Sequence, residues 1–92
     1  MKLENETSKS AILKRLNRIE GQVRGISGMI LADRDCTEII QQFNAVRSAT
    51  QGAMNAFLEE YAAACLRRSS EASPAEREEL MQNLLSLLNK AV

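Results

Sequence analysis

Residues 35–68 read DCTEIIQQFNAVRSATQGAMNAFLEEYAAACLRR, and the fold turns on how this stretch is read. Ile39, Phe43, Val46, Thr50, Ala53, Phe57, Tyr61 and Ala64 recur at steps of three and four, the spacing of one helix face. At its front, Asp35-Cys36-Thr37-Glu38 has the form of a capping box, with Asp35 at the N-cap, Glu38 at the third position and Cys36 as the first helical residue. Only Gly52 weakens the run, so the spacing predicts one helix to about Arg68. Such a helix spans ~45 Å at ~1.5 Å per residue, beyond the diameter of a compact globule of this mass. Its apolar face therefore calls for a second copy, and the simplest closed arrangement is a two-fold dimer forming an antiparallel four-helix bundle.

Working outward, Ile12, Leu16, Ile19, Val23, Ile26 and Ile30 follow a heptad seam, predicting a first helix from about Ser8 to Leu31. Gly21, Gly25 and Gly28 fall inside it, each costing ~1 kcal/mol of helix propensity relative to Ala, and close approach of another backbone is the expected compensation. The pattern breaks at residues 32–35 and again at 69–73. Ser73-Pro74-Ala75-Glu76 then reads as a second capping box with proline at the first helical position, where its missing N–H costs nothing. Leu80, Leu84, Leu87 and Ala91, widened by Met81, Leu85 and Leu88, form the stripe of a third helix. No strand or internal repeat is legible. Residues 1–92 are read as a single all-α domain, a three-helix protomer.

The only aromatics are Phe43, Phe57 and Tyr61, so aliphatic side chains must build the core, a palette that suits helices. Twelve basic and twelve acidic residues cancel, yet their distribution is uneven. Lys9, Lys14, Arg15, Arg18 and Arg24 face Glu20 alone, whereas Glu71, Glu76, Glu78 and Glu79 face only Arg77. No apolar run reaches the ~20 residues of a membrane span, and the polar start MKLENETSKS lacks a signal peptide's apolar segment, so a cytoplasmic protein is expected. With no His and no nucleophile beside a positioned base, nothing points to an enzyme.

Two cysteines in a reducing compartment suggest reactive or ligating thiols more than a structural disulfide. Cys36 and Cys65 are 29 positions apart, which on an ideal helix places them within ~20° of one face but ~43 Å apart along it. They cannot meet within one chain. An antiparallel pairing of two such helices centred near Thr50 and Gln51 sets Cys36 of one subunit beside Cys65 of the other, giving two equivalent dithiol sites. Zinc, nickel and cobalt are poorly served without histidine, while soft Cu(I) accepts two thiolates, with Tyr61 a poor third ligand. The competing chemistry is covalent: a thiolate takes up sulfane sulfur as a persulfide, which the facing cysteine resolves into a di- or polysulfide bridge, and either sulfur could attack first. The plainest alternative is a helical module with two inert buried thiols.

The segment LNRIEGQVRGI, Asp35-Cys36 opening the second helix, IIQQFNAVRSATQGAMNAFLEE along it and Cys65 near its end together resemble the CsoR/RcnR/FrmR family of repressors over nearly the whole chain. The resemblance implies a three-helix protomer, dimerised through an antiparallel bundle and paired into a homotetramer, which binds double-stranded operator DNA when uninduced. It also implies a copper-type inter-subunit site at Cys36, Tyr61 and Cys65, where Tyr61 replaces the histidine of the family's copper sensors. The branch that keeps both cysteines without the histidine resembles the CstR-type persulfide sensors, whose subunits cross-link and release DNA. That branch is the expectation here, with no cofactor and a reactive sulfur species as inducer; a Cu(I)-responsive repressor using Cys36 and Cys65 is the alternative. Tyr61, Glu78 and Glu79 are expected around the site. Without a helix-turn-helix signature, Lys9, Lys14, Arg15, Arg18 and Arg47 are the candidate phosphate contacts, and the family's DNA-contact arginine falls at Arg15.

Overall fold

The expected breaks separate three helices, and no strand occurs among the described residues: α1 is Glu6–Leu31, α2 is Cys36–Ser69 and α3 is Pro74–Ala91. The computed structural model describes residues 2–91. The first helix starts two residues earlier than its apolar pattern indicates, because the Asn5 side chain accepts a hydrogen bond from the Ser8 amide at 3.1 Å and caps a polar first turn that carries no periodicity.

The break after α1 is a Schellman turn. The Arg34 amide donates to the Met29 carbonyl and the Asp33 amide to the Ile30 carbonyl, with Asp33 in the left-handed region at φ 53. Glycine ordinarily fills that position, and an L-residue there costs ~1–2 kcal/mol, less for Asp. Asp33→Gly is therefore expected to stabilise the protein by about 0.5–1 kcal/mol, read as a higher melting temperature at matched protein concentration. An unchanged or lower melting temperature would show that the turn stores no such strain.

At the start of α2 the Thr37 amide donates to Asp35 Oδ2 at 3.0 Å, but Glu38 turns to Arg34, with Nη2 to Oε2 at 2.9 Å, so the expected capping box forms by half. At the start of α3 the Glu76 amide donates to Ser73 Oγ at 3.3 Å, with Pro74 as the first helical residue. The carbonyls closing α2 are also satisfied. Arg77 Nε donates to the Ser69 carbonyl at 2.6 Å, and the Ser69 and Ser70 hydroxyls donate to Leu66 and Arg67 carbonyls.

Two compact units divide the chain. In the unit Glu4–Ala56, α1 and the first part of α2 form an antiparallel hairpin, since Arg15 lies beside Gly52 while Gln22 shares a notch with Ala49. Its buried side chains are Ile12, Ile26 and Ala53, flanked by half-buried Ile39, Val46, Ala49 and Ala56. The heptad seam of α1 is covered only in part: Ile12 and Ile26 are 8% and 5% exposed, but Leu16, Val23 and Ile30 are 45%, 46% and 51% exposed. Phe43 and Thr50, expected on the covered face of α2, are exposed as well. No backbone of the same chain approaches the three glycines of α1. Gly21, Gly25 and Gly28 are exposed and meet nothing within 4 Å, because their positions fall off the stripe that the hairpin covers.

The other unit runs from Phe57 onward and includes Leu3. Cys65 and Leu84 are its buried residues, with Tyr61 and Leu80 half-buried. Half-buried Leu3 shares a small cavity of about 30 Å³ with Phe57, Tyr61 and Ala64. On α3, Met81, Leu85, Leu87 and Leu88 stay exposed, and the Ala91 side chain lies outside the described residues. No helix among the described residues is long and apolar enough to cross a membrane.

Candidate sensing thiols and nucleic-acid interface

Both cysteines are free, and their surroundings differ. Cys36 is exposed at the first position of α2, between the Asp35 cap and the Arg34–Glu38 pair. Cys65 is 4% exposed, one turn after Tyr61. Partial burial first, and the hydrogen-bonding Cys65 thiol second, hold the Tyr61 phenol above its ordinary value of 10.0. At neutral pH the phenol therefore keeps its proton and meets the thiol as a neutral hydroxyl.

Tyr61 also lines a cleft of about 530 Å³ together with Arg68, Glu71, Glu76 and Glu79. Of the two acids expected around the thiols, Glu79 stands in this cleft; Glu78 is exposed and does not line it. Glu71 and Glu76 were legible in the sequence only as part of an acidic cluster, and that they line one cleft with Arg68 follows from where α3 turns back.

The candidate phosphate contacts divide by their partners. Lys9 pairs with Glu6 at 3.4 Å, as Arg24 and Arg34, outside the candidate set, pair with Glu20 and Glu38. Arg47 donates to Asn44 Oδ1 at 3.2 Å, and Lys14 flanks a shallow groove that also holds Glu6. Arg15 and Arg18 pair with no carboxylate among the described residues, and they flank a notch of about 120 Å³ floored by Ile19, Gln22 and Ala49. Two unneutralised guanidiniums beside each other suit phosphate oxygens, which Arg binds through its planar fork. Gln22 and Gly52, the neighbours of this pair, were not singled out by the charge pattern.

As a donor set for a metal, two thiols and no histidine suit Cu(I) and leave zinc, nickel or cobalt short of ligands. Within the single chain, no group of three or more Cys, Asp or Glu side chains among the described residues is placed to hold a metal.

The chain belongs to the family described as metal-sensitive transcriptional repressors, whose profile matches residues 8–90. It is 34% identical over 87 residues to the copper-sensing transcriptional repressor CsoR of Bacillus subtilis, covering 95% of this chain and 84% of that protein. Its structure is similar to a variant of the formaldehyde-responsive regulator FrmR from Salmonella enterica serovar Typhimurium, with a TM-score of 0.84 and 31% identity over 97% of this chain and 99% of that one. It is equally similar to the copper-sensing repressor CsoR with Cu(I) from Geobacillus thermodenitrificans, with a TM-score of 0.84 and 29% identity over 98% and 92% of the two chains. The same fold thus serves proteins named for different inducers, and members of this family are transcriptional repressors, not enzymes.

Proposed function

We propose that this repressor binds operator DNA as an assembly of identical chains and releases it when a reactive sulfur species joins Cys36 of one subunit to Cys65 of its neighbour. The observation that supports this reading is the unequal housing of the two thiols: Cys36 is open to a reactant, and Cys65 is shielded beside a protonated phenol where a metal site would want an imidazole. The exposed Leu16, Val23, Ile30 and Phe43 suit an antiparallel dimer, itself paired into a tetramer.

The chemistry balances without a further oxidant. The Cys36 thiolate attacks the sulfane sulfur of a persulfide RSSH, the S–S bond breaks, RS⁻ leaves, and Cys36 carries the persulfide. The Cys65 thiolate of the neighbouring subunit then attacks the Cys36 sulfur and expels HS⁻, leaving a disulfide. The two electrons given up by the thiols depart on the sulfane sulfur as sulfide. Where that sulfur is retained and a second equivalent reacts, the bridge is a polysulfide.

A second reading, a Cu(I)-responsive repressor holding copper between Cys36 and Cys65, is favoured by the copper-sensing relatives and by the softness of two thiolates. Anaerobic exposure to a sulfane-sulfur donor followed by intact-protein mass spectrometry, beside a Cu(I) titration, separates the two. A cross-linked dimer whose bridged peptides contain Cys36 and Cys65 is expected. Tight copper binding with no cross-link would replace the first reading by the second, and neither response would leave the thiols without a sensing role.

A further inference from the structure

We propose that Gly52 is a positioning residue for operator binding: it is the seat on which the Arg15 side chain lies, and its small size leaves room for the guanidinium against α2. The inference rests on the reading of Arg15 as a phosphate contact and adds what holds it in place.

Gly52 stands in the interior of a 34-residue helix, where glycine is less favourable than Ala. Its backbone does not require glycine, since no glycine among the described residues has a positive φ. Within the chain, close approach of another helix's backbone does not explain it either, because the group that a Cβ at this position would meet is Arg15 Nη1, at 3.5 Å. The other three glycines meet nothing within 4 Å. Gly52 is thus the one glycine with a neighbour, and that neighbour belongs to an unpaired cation. Ala49, one turn before it, floors the notch that Arg15 shares with Arg18, so α2 presents small residues where the guanidinium rests. A long side chain that is costly to order gains from such a track, since fewer rotamers must be given up when DNA arrives.

Size at position 52 sets the test. A methyl group at 3.5 Å is in ordinary van der Waals contact, so Gly52→Ala should bind operator within about twofold of the parent and fold more stably. Gly52→Gln, also a good helix former, occupies the place of the guanidinium and should weaken binding about tenfold while flattening the salt dependence. The duplex is one selected from a random pool by the parent protein, and assembly is checked by light scattering. In an Arg15→Ala background, Gly52→Gln should cost nothing further, the signature of two residues acting as one.

If Gly52→Gln binds like the parent, or costs as much without Arg15 as with it, the seat is overturned while the reading of Arg15 stands. If Arg15→Ala alone leaves binding unchanged, both fall. Should Gly52→Gln alter the assembly, Gly52→Met, another long side chain that favours helix, is judged by the same two criteria.

Discussion

Serine in place of either Cys36 or Cys65 is expected to abolish the response to inducer while leaving operator binding in its absence near the parent value. Oxygen for sulfur preserves size at both positions, but an alcohol neither takes up sulfane sulfur at neutral pH nor binds soft Cu(I). In the parent protein, inducer should lower operator affinity by the 5–150-fold typical of an allosteric coupling. In Cys36→Ser and Cys65→Ser that ratio should collapse to one, by fluorescence anisotropy on the selected duplex with and without donor. The buried Cys65 packs as a small apolar group, so its variant should also unfold at a somewhat lower temperature, whereas exposed Cys36 should not.

Mixing the two variants decides where the site lies. A heterodimer of one Cys36→Ser chain and one Cys65→Ser chain retains a single Cys36 and a single Cys65, on different chains. If the site is shared between subunits, the mixture regains a cross-linked dimer that neither variant forms alone. A mixture as inert as its parts would place the chemistry within one chain and overturn the inter-subunit reading.

The second large effect concerns Arg15. Arg15→Ala should weaken operator binding at least tenfold near 0.15 M salt, because each chain of the assembly loses a charge-assisted phosphate contact. The plot of log affinity against log salt should become shallower by about 0.9 for each phosphate contact removed. A control is available in Arg24, which already pairs with Glu20 and should change the slope little when replaced by Ala. Equal slopes for parent and Arg15→Ala would remove Arg15 from the interface. Loss of affinity at constant slope would assign it a structural role instead.

Much of this was legible from residue order. The periodicity of α1 and α2, the serine and proline ahead of α3 and the aspartate ahead of Cys36 are local signals, and each marks a boundary seen in the structure. The first turn of α1 was missed because Glu6 to Ala11 carries no apolar repeat and the cap is an asparagine without an acid three residues on. The half-formed box at α2 was not foreseen either, since Glu38 had two partners within reach and Arg34 is the charged one. The candidate cations were legible as a cluster. That Lys9 is paired while Arg15 and Arg18 are not depends on which carboxylates share a helical turn and on what α2 brings alongside.

By itself the sequence determined three helices, their breaks, the absence of histidine and the helical positions of two thiols, because turns, caps and i, i+4 spacing act over a few residues and need no distant partner. Tertiary structure alone decided that Ile12 and Ile26 are covered while Leu16, Val23 and Ile30 are open, that Cys65 is shielded while Cys36 is exposed, and that Arg15 rests on Gly52. Each of these sets residues far apart in the chain against one another, and which of several equally apolar or equally charged side chains meets a neighbour is settled by the packing of one helix on another, where a shift of one residue along the helix, ~100° about its axis, exchanges the covered side chain for the open one.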